Sequence, residues 1–463
     1  MKTKLIIVTT FLLAALATHL KAQDWPQFLG PERNSTSPQK GLLRTWPETG
    51  PEVLWTANIG IGYGGPVVKD GKVYLLDRDD KVGDNMRCFE LSTGKELWNF
   101  AYDAAGEVMF PGSRSVPAID GNYIYSCGPY GDLYCIDINS HKPVWNKNVW
   151  TDFGGDPGND PSGESEGQGG FDGHGNFPIW AISQCPLVYG DLLVIASQAP
   201  EAGVVAYNKT TVEIVWKTPN LGNETYVSPA VVKIDGKDNI VMVISSTNPF
   251  GRPELAKTPG NIVGIEPLTG KILWNFNGWN CHISVPSAVD AGNNKVLVVG
   301  GYELGALMIE VKKQADGSYV PTEVFRTEEF GDQTKPPLMH EGYFYAQYGT
   351  NSRRDGLVCM SMDGRIMWKT KRDPGFDKGS MILVEGLILA TDGAKNLDLI
   401  EPDTTGFKPL AKAEILGSKS TSDPNSIAGR IGGPTQNWAP IALADGRLLI
   451  RDQSRLMCVK VAQ

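Results

Sequence analysis

One pattern constrains this chain more than any other. A tryptophan recurs at the end of a stretch with a fixed internal order. Residues 66–100 read PVVKDGKVYLL…MRCFELSTGKELWNF, and residues 115–149 read SVPAIDGNYIYSC…LYCIDINSHKPVWNKNV. Residues 183–218 and 227–276 repeat the theme, ending in EIVWKT and KILWNF. Each stretch gives a short apolar strand, a Gly-bearing turn, a second strand, a variable loop, a third strand, a turn, and a fourth strand carrying Trp. Self-similarity of this kind marks a repeat architecture. Three weaker copies follow. Residues 284–327 end on Phe325, 335–370 end on Trp368, and 380–416 place Leu410 at the aromatic position. The last segment, 438–461, supplies only three strands. Its missing fourth lies at the other end of the chain, in PEVLWTANI at 51–59 with Trp55.

The repeat positions are then 55, 98, 145, 216, 274, 325, 368 and 410. Eight units of four strands predict an all-β fold, an eight-bladed β-propeller closed by an N-terminal strand pairing into the last blade. One blade cannot bury both of its faces, so neighbours must stack until the ring closes. The period-2 alternation in VYLL, YIYS and LLVIA fits half-buried strands. Two stacked β-sandwich domains are the alternative. They leave the regular Trp and the orphan strand at 51–59 unexplained. The Trp rings are expected to fill the wedges between blades near their outer edge.

The rest of the chain divides simply. Lys2 and Lys4 precede an apolar run from Leu5 to Leu16, and Lys21-Ala22-Gln23 offers cleavage after Ala22. This is the layout of a secretory signal peptide, 1–22. The run is short for a membrane span, which needs about 20 apolar residues. Residues 23–50 form a leader, and 51–463 the propeller. The mature chain is expected in the periplasm or outside the cell. Lys and Arg number 43 against 52 Asp and Glu, a net −9. Such a balance, with no basic run, argues against a nucleic-acid partner. The seven cysteines are odd in number and scattered, which does not read as a disulfide scaffold. Cys127 and Cys135 flank a tight turn, so a bridge across that hairpin stays open.

ELSTGKELW at 90–98 and EPLTGKILW at 266–274 resemble the docking repeats of the pyrroloquinoline-quinone (PQQ) propeller family, and DWPQFLGPERN at 24–34 is similar to the leader of its secreted bacterial members. The resemblance spans about residues 50–461. It implies the propeller fold and two kinds of function. Some members are quinoprotein alcohol dehydrogenases, and one relative helps assemble outer-membrane proteins without catalysis. Catalytic members typically hold Ca²⁺ beside the quinone, and many carry adjacent cysteines. This chain has no Cys-Cys pair and no CxxCH haem motif. It offers no regular calcium loop, although Asp152, Asp156, Asp160, Glu164, Glu166 and Asp172 gather in one Gly-rich stretch, and Asn223 and Glu224 are weak candidates for oxygen ligands.

In a propeller the innermost strands run along the central axis, so their first residues gather on one rim, here termed proximal. The opposite, distal face takes the short turns DGK, DGN, YGD and ADG. The proximal face takes the insertions 150–182, 247–260 and 417–437, and loops elaborate where they bind. The residues just before each inner strand are Tyr63, Arg114, Gln184, Tyr226, His282, Lys335, Lys378 and Trp438. This set has three cations and no carboxylate. In the PQQ reading, Arg114, Lys335 and Lys378 pair with the carboxylates of the cofactor, with Gln184 beside them. Trp438 or Tyr226 stacks on its rings. His282 donates to a quinone oxygen or serves as catalytic acid or base.

Three classes of function follow. One is a quinoprotein oxidoreductase for an alcohol or sugar. A second is a non-catalytic scaffold that binds a protein or polysaccharide in the cell envelope. A third, a propeller that binds or cleaves carbohydrate with two carboxylates, needs such a pair at the mouth, and the eight rim residues contain none.

Overall fold

The computed structural model describes residues 23–106, 108–156, 177–178, 180–222, 225–246, 259–349, 354–417 and 435–463. The strands fall into eight antiparallel sheets arranged as blades. Blade 1 holds Val67–Lys69, Lys72–Asp79, Gly83–Glu90 and Glu96–Asp103, from the axis outward. Blades 2 to 7 repeat this order. In blade 8, Ala442–Ala444, Arg447–Arg451 and Arg455–Lys460 are completed by Val53–Asn58, with Trp55 opposite Cys458. The ring is therefore closed by non-covalent pairing of the two ends of the chain.

Every outer strand carries the same irregularity. Its register skips one residue, and in seven of the eight blades an aromatic follows the skip. Cys88 pairs with Trp98 while Phe89 pairs with Glu96, so Leu97 is passed over. The same step recurs before Trp55, Trp145, Trp216, Trp274, Phe325 and Trp368. A bulge increases the local twist and re-aims the next side chain. Here it sends the indole into the wedge beside the neighbouring blade. The residue across the pair is small in six blades: Cys88, Cys135, Ala206, Gly264, Cys359 and Cys458. At Gly264 a Cβ would lie 2.0 Å from the Trp274 ring, so no side chain fits.

The indoles also reach forward. Trp55 Nε1 donates to the Leu91 carbonyl of blade 1 at 2.8 Å, and Trp216 Nε1 to the Pro267 carbonyl of blade 4 at 2.9 Å. Trp145 and Trp368 bond carbonyls of blades 3 and 7 in the same way. The glycines of the TGK turns complete the seat. A Cβ on Gly94 or Gly270 would stand 2.5 Å from the ring of Trp55 or Trp216. In blade 2 the equivalent turn residue is His141, which stacks on Trp98 at 4.7 Å.

Blade 7 departs from the expected pattern by one residue. Leu399 pairs with Ala411 and Ile400 with Pro409, so Leu410 is the skipped residue and Ala411 takes the aromatic position. Leu410 is exposed. An alanine cannot fill the wedge, and the leader packs against these blades. Leu43 N–H donates to the Val461 carbonyl of blade 8. Gly50 lies against Ala413 of blade 7. Between them, Trp46 packs on the core shared by blades 7, 8 and 1, the same core that Ala411 and Ile415 pack on.

The seven cysteines are free and buried. Cys127 pairs with Leu133 and Cys135 with Tyr125, so the two thiols are not cross-strand partners. Residues 1–22 lie outside the described residues, as do Asp160, Glu164, Glu166, Asp172, Asn223 and Glu224 and most of the three insertions. No helix among the described residues is long and apolar enough to cross a membrane.

The wedge assignment separates two substitutions. Trp46→Ala should cost about 2 kcal/mol, below the roughly 3–5 kcal/mol of a fully buried Trp because the ring is only partly covered. Leu410→Ala should stay within about 0.5 kcal/mol, as surface changes do. Urea denaturation midpoints of the two variants check this, and equal losses would contradict the one-residue shift.

Candidate functional site: the axial mouth

A proline lies one to three residues before seven of the eight inner strands: Pro66, Pro117, Pro186, Pro229, Pro286, Pro337 and Pro440. Each inner strand is an edge facing the axis, and the start of an edge strand tolerates a residue with no N–H. The residues before the prolines therefore sit at a fixed level around the axis, which is the proximal rim.

The distal end is crossed by the leader. Trp25 and Val68 exchange backbone hydrogen bonds at 2.9 Å, and the Pro26 carbonyl accepts from Ile119 N–H. Thr36–Ser37 adds a parallel strand to the inner edge of blade 7, at Leu383 and Val384. Gln39 bonds the Leu443 carbonyl and Gly446 N–H of blade 8. Between these anchors Arg33 reaches the Pro186 and Pro229 carbonyls of blades 3 and 4, at 3.2 and 3.1 Å. Burial lowers its pKa to about 10. The leader thus ties six inner strands together across the axis.

At the proximal end, Tyr63 and Trp438 stack with ring centroids 5.4 Å apart. Phe110 packs on both, at 6.2 and 5.7 Å. The Lys378 ammonium lies 4.9 Å from the Trp438 ring centroid and pairs with Asp377 at 2.7 Å. The Lys335 ammonium donates to the Trp438 carbonyl at 2.8 Å. Burial lowers the Lys335 pKa to about 8, against the opposing pull of Asp332. Asp332 itself is pushed up to about 6 by burial, although the Thr334, Lys335 and Gln347 amides donate to it.

A second group adjoins the first. Arg114 donates to the Trp180 carbonyl at 2.9 Å, to Gly112 at 3.1 Å, and to the Met109 carbonyl. Burial lowers its pKa to about 10. Tyr226 packs on Trp180 at 5.3 Å, and its hydroxyl accepts from Trp180 N–H. A third group holds His282, 4.9 Å from Tyr302, whose hydroxyl accepts from Gln333.

Of the residues predicted to ring the mouth, Tyr63, Lys335, Lys378 and Trp438 meet in one cluster. Arg114 and Tyr226 meet in the next, joined to it through Met109 and Phe110. Gln184 does not join them. It is buried and turned between blades 2 and 3, where Ala196 N–H donates to its Oε1 and its Nε2 approaches Cys127 Sγ of blade 2. Phe110, Trp180 and Met109 were missed because they belong to the connecting segments rather than to the strand starts. The apolar pair Met109–Phe110 before Pro111-Gly112, inside a turn-rich connection, was the available signal. No group of three or more potential metal ligands is found among the described residues.

Comparisons with known proteins agree with the fold. The profile of a family described as outer membrane protein assembly factor BamB matches residues 37–156 and 83–370. No curated protein gives a significant match. Among solved structures, BamB from Moraxella catarrhalis superposes with a TM-score of 0.54 at 10% identity, covering 89% of this chain and 99% of that one. Quinohemoprotein alcohol dehydrogenase from Comamonas testosteroni gives 0.59 at 11% identity, covering 95% of this chain and 81% of that one. A europium-containing methanol dehydrogenase gives 0.56 at 13% identity, covering 94% and 98%. At these identities the likeness is one of fold.

The His282 imidazole provides a direct check of the site. Burial depresses its pKa from 6.5 to about 4. It is neutral at pH 7, and stability contributed by the neutral form is lost as pH falls from 6.5 toward 4. In an NMR titration, the His282 ring signals should not shift until the pH drops below about 5. A midpoint near 6.5 would mean that the ring is not enclosed as described.

Proposed function

This chain belongs to the repeat-propeller family described as outer membrane protein assembly factor BamB, and from that premise we propose that it is a non-catalytic docking propeller of the cell envelope, whose proximal mouth receives part of a protein partner. One observation carries the reading. The mouth is walled by Tyr63, Phe110, Trp180, Tyr226 and Trp438, while its cations are bonded to groups of the chain itself. Such a surface offers aromatic area with polar tips, the composition that anchors protein interfaces.

The same geometry fits PQQ poorly. A tricarboxylate needs cations with unused donors. Arg114 has its Nε and both terminal nitrogens on backbone carbonyls, and Lys378 is neutralised by Asp377. A planar quinone stacking on Trp438 must displace Tyr63, Phe110 or Lys378 from that ring. Gln184 is turned away. At a pKa of about 4, His282 is a weak base at neutral pH, whereas general-base catalysis is most effective near the operating pH. The oxidoreductase reading would rest on Lys335 alone. Export to the periplasm, and a partner of the outer-membrane assembly machinery, belong to the docking proposal through the family description.

Two measurements separate these readings. PQQ titrated into the purified chain, with and without Ca²⁺, should give no heat and no thermal shift. Micromolar binding would correspond to about −8 kcal/mol and would return the cofactor reading to first place. A photo-crosslinking side chain at position 110 should capture an outer-membrane protein in cells, and the same group at exposed position 144 should not. Capture from 144 alone would move the docking surface to the outer edge.

A further inference from the structure

Three residues at the mouth hold backbone conformations that their side chains disfavour. Phe110 has φ +64°, Lys378 +61° and Gln436 +44°. None is glycine, and a bulky residue in the left-handed region is a genuine outlier. Phe110 also precedes Pro111, a position pressed toward extended backbone. All three converge on one pair of rings. Phe110 packs on Tyr63 and Trp438, Lys378 lies over Trp438, and Gln436 accepts a hydrogen bond from the Tyr63 hydroxyl. Strain of this kind persists only where surrounding structure imposes it, and it gathers at ligand clamps and switches.

The anchors of the Phe110 segment are identifiable. Arg78, fully enclosed, donates to the carbonyls of Ala104 and Gly106, at 2.8 and 2.7 Å, while also binding Asp80 and Asp84. Arg114 holds the carbonyls of Met109 and Gly112. Gly112 can sit there only because it lacks a side chain: a Cβ would stand 2.0 Å from the Ile61 carbonyl. Ser113 bridges to Gly62, and its carbonyl accepts from Tyr63 N–H. The chain is thus pinned on both sides of Phe110-Pro111. The distal end of the axis is crossed by the leader, and Phe110 packs at the proximal end, on Tyr63 and Trp438.

We propose that Phe110 is a gate over the axial mouth, held shut in a strained backbone conformation and opened when the tip Phe110-Pro111 relaxes outward and frees Trp438. The gate regulates the docking site proposed above and rests on that reading only for its biological use. Opening exposes the Trp438 ring and the Lys335 ammonium together. An incoming partner therefore needs an apolar or aromatic group to replace the Phe110 ring and an acceptor for Lys335.

The gate can be tested without any partner. The Lys335 ammonium bonds the carbonyl of Trp438, on whose ring Phe110 packs, so Lys335→Cys places a thiol beside the group that the gate covers. The seven native thiols are buried and report unfolding. With a bulky maleimide, the Lys335→Cys chain should label slowly. Adding Phe110→Gly, which suits a left-handed backbone, should speed labelling at position 335 at least tenfold while the native thiols remain unlabelled. Equal rates in the two chains overturn the proposal. Hydrogen exchange on the unaltered chain keeps the test independent of folding of the variants. Amides of Met109, Phe110 and Gly112 should exchange at least a hundredfold faster than those of Val73–Leu76 in the neighbouring strand, and equal protection overturns the gate. Rapid exchange with no capture of a partner from position 110 would leave the gate standing and remove the docking role.

Discussion

The structure depends on the aromatic rings that seven of the eight outer strands lodge in the wedges between blades. A four-stranded blade has two apolar faces and a twist, so neighbouring blades diverge toward the rim. A flat pair of aliphatic faces cannot fill a widening gap. An indole can, provided that it is tipped out of its own sheet and meets a surface without bulk. The register skip before each aromatic supplies the tip, and the small residue across the strand supplies the room. The left-handed turn of the next blade supplies the far wall, and in four wedges its carbonyl accepts the indole N–H. This explains the cysteines better than redox chemistry does. Cys88, Cys135, Cys359 and Cys458 stand where the ring leaves room only for a small apolar side chain.

Closure follows from the same requirement. A ring with one open wedge would leave two apolar faces in water. The chain prevents this at blades 7 and 8 by two devices. Val53–Asn58 completes the sheet, and Trp46 packs on the core shared by blades 7, 8 and 1. Both come from the stretch that precedes the first full blade. The same stretch continues from the distal turns across the axis, where the inner strands would otherwise present unpaired edges. The leader is thus a structural member of six blades.

Much of this was legible in the sequence. The repeat of Trp with its preceding turn gave the blade count, the closure and the strand order, because the spacing is imposed by packing that every blade shares. The shift from Leu410 to Ala411 was not legible. KPLAKAE has two apolar residues side by side, and the skip that chooses between them is a property of pairing. The mouth was legible in part. Strand starts lie at one level, so Tyr63, Lys335, Lys378 and Trp438 came out on one rim. Gln184 occupies the same level, yet its side chain turns in between two blades, and position in sequence does not fix that direction. Phe110 and Trp180 escaped because crossover segments have no periodicity to read.

The charge of the mouth shows why a list of residues is weaker than their bonds. Three cations and no carboxylate describe an anion site on paper. In the fold, Arg114 closes a loop around itself by bonding Met109, Gly112 and Trp180, and Lys378 faces a carboxylate from the adjacent residue. A guanidinium committed to carbonyls stabilises backbone that would otherwise be unsatisfied, and releasing it for a ligand forfeits those bonds. Lys335 is the exception, since its ammonium has one bond to a carbonyl and sits where burial makes its charge costly. A group in that state gains more from a new acceptor than a paired one does. The three cations of the mouth therefore differ in what they can offer a ligand, and Phe110 packs on the ring of Trp438, whose carbonyl Lys335 bonds.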